Sequence, residues 1–209
     1  MYRVGGVIER TTSSEKSMLE KRVLTGIWPT AAMHPGHYAG ASESWLTLQD
    51  EYDCFFLIAD YQASRDHLDD IDGIRWFVKE VILARRAVSL DLQRSTLVVQ
   101  SDIPEHAQST SFLSMFTTLR MLQCNPTLKA ETKGLDVGNP SMGLFNYPVS
   151  QIAVMLLPKD HLVSIGDDQL PHVDMTRERA RRFNRSYGQV FPEPQALVGR
   201  VPCLAGLDG

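Results

Sequence analysis

The chain has 209 residues, 43% of them hydrophobic, which is enough to bury the core of one good-sized domain. Its 21 basic and 25 acidic residues leave a net charge of −4, which excludes a protein that holds nucleic acid by bulk charge and leaves only local contacts to any RNA partner. Three widely spaced cysteines, Cys54, Cys124 and Cys203, exclude a disulfide framework or a Cys-x-x-Cys zinc site and fit a reducing cytoplasm.

Residues 1–21 mix Arg3, Glu9, Arg10, Glu15, Lys16, Glu20 and Lys21 with no apolar run long enough for a signal peptide or a membrane span. They read as a solvated polar extension with no part in the chemistry, and 22–209 read as one domain. Arg22–Ile27 is the first expected strand. A Trp28-Pro29-Thr30 turn follows, then His34-Pro35-Gly36-His37 at the mouth of a helix that runs from Gly36 to Glu51. A helix N-terminus offers unpaired N–H groups and partial positive charge, so two imidazoles and a side-chain-free glycine placed there suit a nucleotide phosphate chain.

Asp53–Asp60 reads as a continuous buried strand. Asp69–Ser89 carries Ile71, Ile74, Phe77, Val78, Val81 and Ile82 at helical spacing, and the β-branched Ser95–Gln100 is the next strand. One helix is expected from Pro104 through Leu122, with Phe112, Leu113, Met115, Phe116 and Leu119 in its apolar set. Gly134–Pro140 is a breaker-rich loop, Val149–Leu157 an apolar helix stopped by Pro158, and His161–Ile165 a short strand. Gly166-Asp167-Asp168-Gln169 opens a last helix, Asp168–Tyr187, rich in arginine toward its end. Strand and helix alternate throughout, the pattern of a mostly parallel sheet with helices on both faces.

The segment Gly26–Thr30 with His34-Pro35-Gly36-His37 resembles the first ATP signature of class I aminoacyl-tRNA synthetases. Its company narrows the resemblance: Gln100–His106, Asn125–Lys129, Met142–Val149, Gly166–His172 and Arg181–Asn184 follow in order. Together, from about Arg22 to Gly209, they look like the tryptophanyl-tRNA synthetase family. The resemblance implies a Rossmann-like α/β catalytic core that joins tryptophan to ATP, releases pyrophosphate, and passes the tryptophanyl group to its tRNA.

By the same resemblance, His34 and His37 are the catalytic phosphate contacts, and Trp28, Pro29, Thr30 and Gly36 complete the first ATP segment. Gly166, Asp167 and Asp168 fall where the family meets the ribose, and Leu204 where its backbone meets adenine. Tyr147 and Gln169 align with residues that hold the substrate's α-amino end. Gln151, Val154, Val163 and Ile165 align with the indole pocket. Mg²⁺ arrives on ATP rather than in a protein cage, and the working unit is a homodimer built partly through residues 104–130.

Three positions depart from the family pattern. Asp167 stands for a Glu, and Trp28 for a more polar side chain. Val154 stands for the Asp that accepts the indole N–H, which implies altered choice among aromatic amino acids. Leu204–Gly209 matches the segment before the family's Lys-Met-Ser-Lys-Ser loop, so the resemblance implies a core cut off ahead of that loop, with impaired adenylate formation.

The bland readings stand beside these. His34 and His37 suit helix capping, Asp167 and Asp168 suit a helix start, and Val154 suits a core position. Arg177 to Arg185 suit a solvated helix face or contact with tRNA phosphates. A catalytically silent relic or paralogue that keeps nucleotide or aromatic amino acid binding or dimerisation is the rival to the ligase reading.

Overall fold

A computed structural model describes residues 21–30, 43–87, 90–133 and 141–198. Five parallel strands form one sheet: β1 (Arg22–Ile27), β2 (Asp53–Ile58), β3 (Thr96–Val99), β4 (Leu162–Ile165) and β5 (Gln195–Val198), in the spatial order β3-β2-β1-β4-β5. Among the described residues the helices are α1 (Glu43–Glu51), α2 (Asp60–Asp66), α3 (Ile71–Ala87), α4 (Glu105–Ser114), α5 (Leu119–Cys124), α6 (Pro126–Lys133), α7 (Met142–Leu156) and α8 (Leu170–Tyr187).

The central strands are buried on both faces, because each face feeds a separate apolar layer. Val23, Cys54, Phe56 and Leu162 face Trp45 of α1 and Leu90, with the Trp45 and Phe56 rings 5.0 Å apart. Leu24, Leu57 and Val163 face Val154 and Met155 of α7 and Val173 of α8. Outside this second layer α7 packs between α4 and α8, where Leu113, Leu144, Ile152, Leu156, Met175 and Ala180 meet.

The strand-helix alternation holds, with shifts at particular places. The expected helix from Pro104 to Leu122 is two helices, α4 and α5, because the chain turns at Met115–Thr118. Thr118 caps α5 by accepting from Met121 N, while the freed Phe116 carbonyl accepts from both Arg179 and Arg182 of α8. Those charged donors stabilise a break that apolar periodicity does not signal.

The apolar helix expected from Val149 starts at Met142 and carries Pro148 within it. Ser141 caps it, its Oγ accepting from Leu144 N at 3.2 Å. Asp60 begins α2 instead of ending β2, and Gln100 begins a short 3₁₀ turn after β3. The Asp167–Gln169 segment is likewise a 3₁₀ turn ahead of α8. Residues 1–20 and the expected loop Gly134–Pro140 lie outside the described residues.

Candidate functional site

The chain lays β2 and β3 to one side of β1, then returns to place β4 and β5 on the other. A crevice opens at such a reversal, outside the carboxyl ends of the two strands that flank it. Here those strands are β1 and β4, paired in parallel with Leu24 opposite Val163 and Thr25 opposite Ser164. Trp28-Pro29-Thr30 leaves β1 and Gly166-Asp167-Asp168 leaves β4, so the two segments emerge side by side at one edge.

Each segment has its own local order. Thr30 N donates to the Trp28 carbonyl at 3.0 Å, which folds the chain back just past the strand, and Pro29 is buried there. Gly166 is extended, and the following turn holds Asp167 and Asp168 exposed to solvent. Gln169 Nε2 donates to Asp168 Oδ2 at 2.5 Å, and Thr127 of α6 donates to the Asp168 carbonyl at 3.3 Å. Exposed carboxylates next to an extended glycine suit the hydroxyls of a sugar.

Beside this crevice lies a set of buried polar atoms with no hydrogen-bond partner among the described residues: Tyr147 Oη, Gln151 Oε1, Gln62 Oε1 and both ring nitrogens of His172. Buried polar groups are ordinarily paired, so unpaired atoms gathered in one place mark room for a polar ligand. Tyr147, Gln151 and Val154 share one face of α7 at spacings of four and three. Gln62 of α2 reaches α7 by donating to Ser150 Oγ at 3.4 Å. His172 of α8 stacks on Tyr147 with ring centroids 5.6 Å apart.

Electrostatics there follow burial. Desolvation pushes the His172 imidazole down to about 4, so it is neutral near pH 7, with Asp168 working against that shift. Desolvation first, and then Glu131, push the Tyr147 phenol well above its usual range. Its hydroxyl makes no hydrogen bond of good geometry, although Glu131 and Arg65 both lie close enough to act on it. Arg65 of α2 pairs with Glu131 of α6 at 3.1 Å, and its guanidinium lies over the rings of both Tyr147 and Trp28.

Of the residues singled out in the sequence, the fold thus gathers Trp28, Pro29 and Thr30 with Gly166, Asp167 and Asp168. It puts Tyr147, Gln151 and Val154 on the neighbouring helix face, Val163 and Ile165 on β4, and Gln169 after the acidic turn. Val154 sits among Leu24, Leu57, Ala59 and Val163, a buried apolar position. His34, Gly36, His37 and Leu204 lie outside the described residues. Arg177 pairs with Asp174 and Arg181 with Glu193, while Arg179 and Arg182 hold Phe116, so four of the five α8 arginines make intramolecular contacts. Gln62, Arg65, Glu131 and His172 escape a sequence reading. His172 alone carried a signal, as the last residue of the quoted Gly166–His172 segment.

A family model described as tRNA synthetases class I (W and Y) matches residues 17–209. The tryptophan–tRNA ligase of Thermotoga maritima is 40% identical over 190 residues, covering 90% of this chain and 58% of that protein. The tryptophan–tRNA ligase of Ralstonia nicotianae is 42% identical over 190 residues, covering 90% and 48%. Tryptophanyl-tRNA synthetase of Campylobacter jejuni, solved in complex with ADP and tryptophan, superposes with a TM-score of 0.80 at 32% identity, over 87% of this chain and 56% of that one. The chain spans about half the length of the curated relatives it matches.

Proposed function

This chain belongs to the class I tRNA synthetases of the tryptophan and tyrosine group, and from that premise we propose that its cleft binds ATP and an aromatic amino acid and serves tryptophan–tRNA ligase chemistry. One observation carries the reading: β1 and β4 are parallel neighbours, and the Trp28–Thr30 and Gly166–Asp168 segments leave them at the same edge.

In this reading the carboxylate of the amino acid attacks the α-phosphorus of ATP. A carboxyl–phosphorus bond forms as the bond to pyrophosphate breaks, and the pyrophosphate leaves with its electron pair. A terminal ribose hydroxyl of tRNA then attacks the carbonyl carbon and releases AMP. No side-chain nucleophile is needed, so the protein's work is positioning and charge stabilisation. His34, Gly36 and His37 face the phosphates, Trp28-Pro29-Thr30 lie beside them, Gly166–Asp168 take the ribose, and Leu204 meets the adenine. Tyr147 and Gln169 hold the α-amino group, and Gln151, Val154, Val163 and Ile165 wall the side chain. Mg²⁺ travels with the nucleotide as part of the substrate.

Support for an amino-acid subsite comes from the unpartnered Tyr147, Gln151 and Gln62 oxygens next to the crevice. A second copy of the chain docks on the exposed Phe112 of α4, Met115 of the turn after it and Leu119 of α5, giving a homodimer. Among the described residues no helix is long and apolar enough to cross a membrane, and the proposed place of work is the cytoplasm. Calorimetry of the folded chain should show ATP binding, and its absence would overturn the reading. Amino-acid-dependent ATP–pyrophosphate exchange separates turnover from binding. The apolar surroundings of Val154 favour one rival, a binding module without turnover, which predicts ligand binding with no exchange.

A further inference from the structure

Tyr147, Ser150, Gln151 and Val154 follow one another along α7 at helical spacing, so they form one stripe. At its far end Val154 packs with Leu24, Leu57, Ala59 and Val163, and its side chain offers no hydrogen-bond acceptor. A second helix brings an acceptor to the same wall. Gln62 of α2 is 3% exposed, and its Nε2 donates to Ser150 Oγ at 3.4 Å. That bond orients the amide and leaves Oε1 as its other end, sealed from solvent and without a partner among the described residues.

The run of α2 along α7 places Gln62 in the middle of the stripe. Ala59, at the head of α2, belongs to the apolar cluster of Val154. Arg65, one turn beyond Gln62, lies over the Tyr147 ring. Gln62 falls between these two contacts, against Ser150. A buried amide oxygen without a donor carries a desolvation cost, which a ligand donor relieves when it binds.

We propose that Gln62 is a specificity-determining residue of the amino-acid subsite, its Oε1 accepting the ring N–H of an indole side chain and so replacing the acceptor that Val154 cannot supply. The inference rests on the amino-acid subsite proposed above and names how that subsite selects its substrate: by an aromatic ring that carries an N–H donor. An indole N–H only donates and an amide oxygen only accepts, so the two match. A neutral amide takes this role without the desolvation cost of a buried carboxylate. Phenylalanine brings no donor and leaves the oxygen unpaired.

The test is calorimetry on the full chain with ATP, tryptophan and 3-benzothienylalanine, in which sulfur replaces the ring N–H at nearly the same shape. The wild type should bind tryptophan roughly 10-fold more tightly than the sulfur analogue. Gln62→Met, which keeps the length of the side chain and removes the acceptor, should bring the two ligands within about 2-fold by weakening tryptophan. Gln151→Met removes the other unpartnered amide oxygen of the stripe and should leave tryptophan tighter by about 5-fold or more. Equal affinities in the wild type, a ratio unchanged by Gln62→Met, or a ratio that collapses in Gln151→Met would overturn the inference. If Gln62→Met does not fold, the wild type and Gln151→Met decide between these outcomes. ATP binding without binding of either amino acid overturns it and leaves the nucleotide site standing, whereas a folded chain that binds none of the three overturns both readings.

Discussion

The guanidinium carbon of Arg65 lies 4.3 Å from the ring centroid of Tyr147. The same carbon is 5.2 Å from the ring centroid of Trp28, so one side chain on the short helix α2 joins the first segment after β1 to the polar stripe of α7. Its Glu131 partner adds α6 to the same junction.

Arg65→Ala should cost about 1–3 kcal/mol of stability in urea titrations, because it removes two ring contacts and leaves Glu131 with its charge unopposed. Arg65→Lys should recover only part of this, since an ammonium keeps the charge but not the planar stack. Equal stability of the alanine variant and the wild type would refute the bridging role.

Asp160 is almost fully buried, and both its oxygens lack a hydrogen-bond partner among the described residues. Desolvation, opposed by Arg22 and aided by Asp53, pushes its carboxyl up to about 8. The folded state keeps a proton that the unfolded chain gives up near pH 4, so this group makes stability fall as pH rises from about 4 to about 8 and level off above. Asp160→Asn should flatten that slope in melting experiments across the same window. A slope unchanged by the substitution would show that other groups produce it.

His172 acts with the opposite sign. Its folded value of about 4 lies below the ordinary 6.5, so the unfolded chain binds the extra proton first, and stability is lost as pH falls from about 6.5 to about 4. His172→Phe keeps the stack on Tyr147 and should remove this acid sensitivity, read as a smaller drop in melting temperature between pH 7 and pH 5.

Arg179 is buried and donates to the Phe116 carbonyl at the turn between α4 and α5. Arg179→Ala should destabilise by about 2–4 kcal/mol, because Arg182 alone then holds that carbonyl and a large side chain is lost from the core. Hydrogen exchange should show α5 opening first.

Asp168 is exposed, so its removal separates binding from folding. Asp168→Ala should weaken ATP roughly 10-fold while stability stays within about 0.5 kcal/mol of the wild type. Unchanged ATP affinity would remove Asp168 from the proposed ribose contact.

Much of the element string was legible because its signals are local. β1 and β2 are short apolar runs bounded by polar residues, and α3 carries its apolar residues at helical spacing, so each declares itself within a few turns of chain. α2 and β5 are short, and the exposed ends of β5 give no alternation to read. The break between α4 and α5 depends on Arg179 and Arg182, more than sixty positions along the chain, and nothing near Phe116 announces it. The site divides in the same way. Trp28–Thr30 and Gly166–Asp168 stand out as contiguous segments, whereas Gln62, Arg65, Glu131 and His172 come from three different helices, α2, α6 and α8, and are brought together only by the fold.

What the order of amino acids determined by itself is therefore the chemistry of each segment: which stretches pair as strands, where the chain turns, and where the carboxylates lie. Only the tertiary structure decided that β4 lies beside β1, because the return passes through four helices among the described residues and the side of the sheet on which β4 lands depends on how α7 packs against Leu24 and Leu57.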